Sequence, residues 1–469
     1  MRPVERLWLL IALALPGLLA LLVPMPAVDL AYQVRAGEMI LSTGAVPASD
    51  SFTFTVAGAP WTDQQWLAQV VFALGFRVGG WELLSVLRAG LVVATSGLLL
   101  VVGLLRGASL RTSSVLALLA FLVAVPALAL RPQLLAIPLF AGLLALAAAR
   151  DRHPHAYLAA PLLVILWANI HGSFVLAPLL LGYAWLDDLL RGRPARHSAA
   201  VLVLGVLATC VTPFGPGVWA YAAGIGASPV ISNQVSEWQR TSPLTVTGAV
   251  FYAAAAAAVI VAWRGRSRLS WADAAWLAGL TLIGVWAVRG VAWWPSGALL
   301  VVAAAMATRT EARGGARVTA STGLRAANSA VALVLGVGLI AALPWWRPSD
   351  QLTGRAGLLS YAPSGLALAL RSHVEAGTRV FVPQTWASWF EWAVPDARYF
   401  LDSRFELYPP DVWADYGAIS EGGAAAQDAL QRWRIALLVW PSSWPAPAGA
   451  WTPVYADGDG ALLVSDLVR

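Results

Sequence analysis

The sequence predicts an α-helical polytopic membrane protein with a small C-terminal α/β domain outside the cytoplasm. Three observations predict it. Of the 469 residues, 59% are hydrophobic and only 12% charged. Apolar runs of about 20 residues, enough to cross a hydrocarbon core of roughly 30 Å, recur as far as Pro344. Arginines gather in alternate gaps between those runs. A chain this apolar does not fit one or two water-soluble domains. The formal charge of +6 comes with no lysine, and clustered arginines between apolar runs read as topology signals rather than as a nucleic-acid surface. Cys210, the single cysteine, lies within an apolar run, which excludes an intramolecular disulfide and a CxxC centre.

The first run, 7–23, follows Arg2 and Arg6 and has the outline of a signal peptide, with Pro24 to Ala27 loosely like a cleavage region; it is read as the first membrane helix. Further spans are expected at 83–105, 113–130, 134–149, 157–170, 174–186, 199–211, 246–262, 272–288, 291–306 and 331–343, about eleven in all. Short cytoplasmic loops retain positive charge. With the N-terminus inside, the loops holding Arg106 and Arg111, Arg150 and Arg152, Arg191, Arg193 and Arg196, Arg264, Arg266 and Arg268, and Arg309, Arg313 and Arg317 are all cytoplasmic. The arginine-poor set faces outward: residues 27–80, residues 213–244 and everything after Pro344. The expected organisation is therefore a membrane module over 1–344, with a first outward loop at 27–80, and an extracytoplasmic α/β domain over 345–469.

In that domain, strands are expected at 378–382, 398–401 and 435–439 and helices at 385–393, 411–419 and 424–433. A final hairpin, 452–455 with 461–464, turns at Asp457-Gly458-Asp459-Gly460. Those four residues lack the remaining positions and the closing Glu of a calcium loop. The five histidines show no zinc-ligand spacing. No phosphate-cradling GxxxxGKS, no G-x-S-x-G elbow and no basic-aromatic nucleic-acid surface is present, which removes the basis for ATP-driven transport and serine hydrolysis.

The first outward loop carries the most chemistry. Asp29, Asp50 and Asp63 stand at the outer membrane boundary, where a carboxylate is partly desolvated yet still reaches water. Asp29 follows the first span directly and is spaced to share a helix face with Tyr32 and Gln33. Arg131 and Arg289 interrupt tight outward hairpins, where an unpartnered charge facing lipid costs on the order of 3 kcal/mol; each calls for a lipid phosphate or an acidic side chain, or snorkels to headgroups. His171, between Asn169 and Gly172 at another outward turn, is either a polar group of a cavity or a helix-end histidine satisfied by backbone carbonyls. Asp402-Ser403-Arg404, after the 398–401 strand, reads as a structural ion pair or as a contact for an acceptor. Trp386, Trp389 and Trp392 share a face that packs on the membrane or on the domain core, or stacks on a sugar.

Three pieces carry a resemblance: the segment from Asp29 to Leu67; the hairpin Trp167-Ala168-Asn169-Ile170-His171-Gly172-Ser173-Phe174, following Arg131-Pro132-Gln133; and the tail, with Trp386-Ala387-Ser388-Trp389 and Phe400-Leu401-Asp402-Ser403-Arg404-Phe405-Glu406-Leu407-Tyr408. Together they resemble bacterial polytopic proteins related to the GT-C glycosyltransferases. The resemblance implies a GT-C-like fold, a donor sugar carried on polyprenyl phosphate and transfer to a cell-envelope acceptor on the outer face of the membrane. It makes Asp29 the catalytic carboxylate, with Asp50 and Asp63 as secondary candidates, and Arg35, Arg131, His171, Arg289, Asp402 and Arg404 as substrate-binding residues. Partners are then membrane lipids, the lipid-linked donor and a glycan, lipid or protein acceptor, with no nucleic acid. Relatives carry His where Gln33 stands and His-Glu where Gln64-Gln65 stand, so a divalent metal, Mg or Mn, is left open. Two further functions stay in view, a lipid-linked glycan transporter or flippase and a non-catalytic envelope assembly protein; charges clustered at the outer helix ends favour surface chemistry over passage.

Overall fold

The computed structural model describes residues 3–308 and 322–465; the expected cluster Arg309, Arg313 and Arg317 lies outside them. The chain forms two compact units, each assembled from separated stretches. The first unit comprises Met1–Val23, Ser85–Ala220 and Ser236–Trp346; the second comprises Pro24–Leu84, Tyr221–Val235 and Arg347–Arg469. In place of one cut at 344/345, residues 24–84 and 221–235 belong with the tail.

The second unit is built on a five-stranded sheet, ordered in space Arg398–Tyr399, Arg379–Phe381, Leu437–Pro441, Gly460–Ser465 and Trp451–Ala456. The first three strands run parallel, and the last two form the antiparallel hairpin signalled by its Asp-Gly turn. In that turn the Asp457 carboxylate accepts from the backbone N–H groups of Asp459 and Gly460. The helices Gln384–Ala393, Pro410–Glu421 and Ala424–Arg432 fall where their patterns place them, and an additional helix spans Ser364–Arg371. The early segment completes this body. Its helix Ala27–Thr43 packs on Gln384–Ala393, Met25–Pro26 pairs with Leu359–Ser360, and Thr53 bridges to Tyr399 at the sheet edge. The edge strand that the tail alone would leave unpaired is thus covered.

The helix Trp66–Leu105 breaks at Gly79 and Gly80, whose φ of +61° at Gly80 suits glycine. Hydropathy runs smoothly across this kink, and only the glycine pair marks it in the sequence.

The first unit is helical. Six helices among the described residues are long and apolar enough to cross a membrane: Glu5–Leu22, Trp66–Leu105, Leu110–Ala127, Pro132–Ala149, Gly172–Leu190 and Val246–Arg264. The other five expected spans coincide with shorter apolar helices, Pro154–Ile170, Arg196–Ala208, Trp271–Trp286, Trp294–Ala305 and Ala326–Ala341. A multi-pass membrane protein fits these helices, with six rather than eleven of them meeting the length of a full span. The shortest shows why. At 1.5 Å per residue Trp294–Ala305 is about 18 Å long, and all its residues are buried among the neighbouring helices rather than offered to lipid. Small residues permit that burial: a Cβ on Gly265 would come 2.5 Å from the Ala305 carbonyl, and one on Gly297 would strike Leu280. Elsewhere large apolar side chains such as Leu207, Leu282 and Val334 stay exposed, as a lipid-facing surface requires. Arg88 is buried and turns inward, donating to the Ala20 and Val23 carbonyls at the end of the first helix.

The arginine clusters read as topology signals are heavily paired. Asp273 accepts from Arg106 at 2.6 Å, Arg191 at 2.8 Å and the Tyr183 hydroxyl at 2.8 Å. Asp187 takes Arg150, Arg191 and the Ser270 hydroxyl, and Asp188 takes Arg150. Asp187 and Asp273 are fully buried. Ser270 and Asp273 also form a capping box that starts the helix Trp271–Trp286. Removing one member of such a network strands the others as buried charges, at about 3–5 kcal/mol. Asp273→Ala should therefore lower the unfolding midpoint in detergent far more than Asp151→Ala, whose carboxylate is 43% exposed; equal effects of the two would refute the buried network.

Candidate functional site

The expected site residues fall into two groups, one in each unit. In the second unit Arg404, 1% exposed, holds the early segment to the tail. Its guanidinium donates to both Asp402, at 2.6 Å, and Asp50, at 2.5 Å. It also lies against the adjacent rings of Phe52 and Trp61, 4.7 and 4.5 Å from their centroids. Asp50 also accepts from the backbone N–H groups of Phe52 and Thr53 and from the Thr53 hydroxyl, which fixes the turn that presents Phe52. Ser403 donates to the Val28 carbonyl at 2.7 Å. Asp402, Ser403 and Arg404 are thus committed to joining two distant stretches of the chain, and Asp50 is 4% exposed within that joint.

Glu391 stands beside them, fully buried. No N–H or O–H donor among the described residues reaches its carboxyl oxygens. Burial, and then the neighbouring Asp402 carboxylate, push its pKa well above the usual carboxyl range, which favours the neutral acid. Burial alone would raise Asp402 as well, but Arg404 outweighs it and holds Asp402 low. Arg35 donates to the carbonyls of Glu391 and Pro395, at 2.8 and 3.1 Å, and lies over Phe52. It caps the helix Gln384–Ala393, with those donors given to backbone.

Asp29 sits half-buried in the first turn of Ala27–Thr43, where the helix N-terminus favours a carboxylate. Gln33, one turn on, donates to the Tyr32 hydroxyl and to Gln65. Asp63 is 2% exposed and accepts from Gln69 at 2.7 Å. Burial lifts its pKa to about 7, against the lowering effects of Gln69 and Arg404, so it is poised to exchange a proton near neutrality. Among the described residues no three His, Cys, Asp or Glu side chains gather where they could share a metal ion. With Gln33 and Gln65 hydrogen-bonded to one another, this donor set does not fit Mg or Mn, and no step below runs through a metal. Trp389 is buried with Trp81 and Trp392 in an aromatic core, so it does not face a sugar.

The second group lies in the first unit and includes Arg131, Arg289 and His171. Arg131 precedes the helix Pro132–Ala149, and Arg289 occupies the short helix Val288–Val291. Both line a small cleft that opens to solvent, together with Gln133, Glu237, Thr247 and an apolar wall that includes Val123, Val288 and Val291. Arg131 pairs with Glu237 at 2.6 Å. Arg289 donates to His171 Nε2 at 3.0 Å and lies over the Trp238 ring. A guanidinium has no acceptor, so Nε2 accepts; Nδ1 lies 2.6 Å from the Ser173 hydroxyl and 3.1 Å from the Ser173 backbone N–H, which is aimed at it. The imidazole is therefore neutral. The cleft offers two guanidinium groups, one internal carboxylate and an apolar flank, an arrangement suited to the anionic head of an amphiphile.

Sequence reading missed Glu237, Glu391, Asp187, Asp188 and Asp273. Glu237 had a signal, as the sole acidic residue between Asp188 and Asp273. Glu391, inside a Trp-rich helix, had none.

Arg404→Ala should destabilise the protein by about 3–5 kcal/mol, because Asp50 and Asp402 would stay buried without a counter-charge; a loss under ~1 kcal/mol in chemical unfolding would contradict the joint. Asp63 supplies a pH test. Its folded pKa, about 7, exceeds the ordinary value near 4, so the folded state holds the proton more tightly. That stabilisation is complete below pH 4 and is lost as pH rises to 7, a decline of about 4 kcal/mol. Asp63→Asn should remove this decline, and a variant whose stability profile runs parallel to the parent would disprove the assignment. Compared with known proteins, the chain matches no family model and no curated protein significantly.

Proposed function

We propose that this chain is an integral membrane glycosyltransferase that takes a sugar from a polyprenyl-phosphate carrier and delivers it to a cell-envelope acceptor outside the cell membrane, with the N-terminus and the Arg106 and Asp273 end of the first unit cytoplasmic. The observation that carries the reading is the cleft of the first unit. It places Arg131 and Arg289 beside an apolar wall at the ends of membrane-type helices, which is what binding of a phosphate on a lipid tail demands. The GT-C-like sequence features point the same way. In the reaction an acceptor hydroxyl attacks the anomeric carbon, its proton passes to a carboxylate, and the bond from that carbon to the phosphate oxygen breaks, its electron pair leaving with the carrier phosphate. Guanidinium groups stabilise the charge that grows on the departing phosphate. The sequence resemblance assigns the base to Asp29, which is half-buried at the start of the helix Ala27–Thr43.

Membranes bearing the protein, supplied with radiolabelled polyprenyl-phosphate sugars extracted from the same cells, should release free polyprenyl phosphate above the level of empty membranes. Asp29→Asn should lower that rate by about 10²–10⁴-fold, with insertion and thermal stability retained. Release unchanged in the variant would remove Asp29 as base, and no release from the parent protein would sink the enzyme itself.

A further inference from the structure

Glu237 lines the cleft alongside Arg131 and Arg289. Its carboxylate is 2.6 Å from Arg131, and Arg131 together with Arg289 holds its pKa low despite burial, which by itself raises it. The residue belongs to the turn Ser236–Trp238, and the next side chain, Trp238, covers the guanidinium of Arg289. One short turn thus occupies both cations of the cleft. The segment that follows is tied down: Val288 donates its N–H to the Gln239 carbonyl at 3.1 Å, and the Thr241 hydroxyl donates to the Gly284 carbonyl at 2.5 Å. The turn itself is half-exposed, and its hold on the arginines rests on one ion pair and one ring face, contacts of modest strength at such exposure.

We propose that Glu237 is an internal stand-in for the ligand: it keeps Arg131 neutralised while the cleft is empty, and a lipid-borne phosphate must displace it to bind. This rests on the phosphate-binding reading of the cleft and adds to it a competition within the chain. The carboxylate and the phosphate need the same guanidinium, so the affinity observed for a phosphate is its intrinsic affinity reduced by the fraction of molecules in which Glu237 has released Arg131.

The test measures binding of a radiolabelled polyprenyl monophosphate by the purified full chain in detergent micelles, with polyprenol and inorganic phosphate as comparison ligands. Glu237→Gln should bind the polyprenyl phosphate about tenfold more tightly than the parent, and Arg131→Gln should bind it at least tenfold more weakly. The double variant should bind like Arg131→Gln, because without the arginine there is nothing for the carboxylate to block. If Glu237→Gln binds equally or more weakly while Arg131→Gln still loses affinity, the stand-in role is overturned and the phosphate cleft survives. If none of the proteins binds the phosphate above the polyprenol level, both fall together. An equal gain with inorganic phosphate would keep the displacement and remove the lipid from its ligand. Circular dichroism of each variant guards against a loss that merely reports misfolding.

Discussion

The joint made by Arg404 is the interaction on which the second unit depends. Two carboxylates, Asp50 and Asp402, share one guanidinium, and two aromatic rings pack against it. No member is stable there alone: a buried arginine without acids, or buried acids without the arginine, leaves a charge that water cannot reach. The joint therefore forms as a whole or not at all. It determines that residues 24–84 fold with the tail instead of lying as a separate loop. Glu391 fits the same electrostatics, because an added negative charge would exceed what one guanidinium balances, and so it keeps its proton.

The first unit is organised by a contrast between its two ends. At one, Arg106, Arg150 and Arg191 are satisfied by Asp187, Asp188 and Asp273 in a dense buried network. At the other, Arg131 and Arg289 have one half-exposed carboxylate, one neutral imidazole and an open cleft. The first arrangement serves stability, since each charge already has its partner. The second borders an open cleft with an apolar wall.

Much of the helical frame was legible in the sequence, because long apolar runs answer to a solvent constraint that acts on each stretch separately. The tail was legible for a related reason. Its strands and helices keep their local periods, and the turn at Asp457-Gly458 carries its own signal. Span length was less so: Trp294–Ala305 is as apolar as its neighbours, and only its surroundings reveal that other helices bury it. The pairing of charges was hidden for a physical reason. Hydropathy weighs a residue with its sequence neighbours, whereas Asp50 and Arg404 are 354 positions apart, and Arg106 and Asp273 are separated by 167. Arg131, Arg289 and His171 could each be picked out as polar residues in apolar company, but nothing in the chain order foretold that one cleft would take both arginines, or that Glu237 would reach into it.

The separation of Asp50 from Arg404 also has a temporal side. At ordinary synthesis rates of about 5–20 residues per second, the ribosome needs roughly 20–70 s to pass from one to the other. Throughout that interval Asp50 waits for its counter-ion, and Phe52 and Trp61 wait for the cation they will contact. Newly made chains consequently pass through a stage in which a sticky aromatic segment is already made and its cover is not, and a chain truncated before residue 404 stays in that stage permanently.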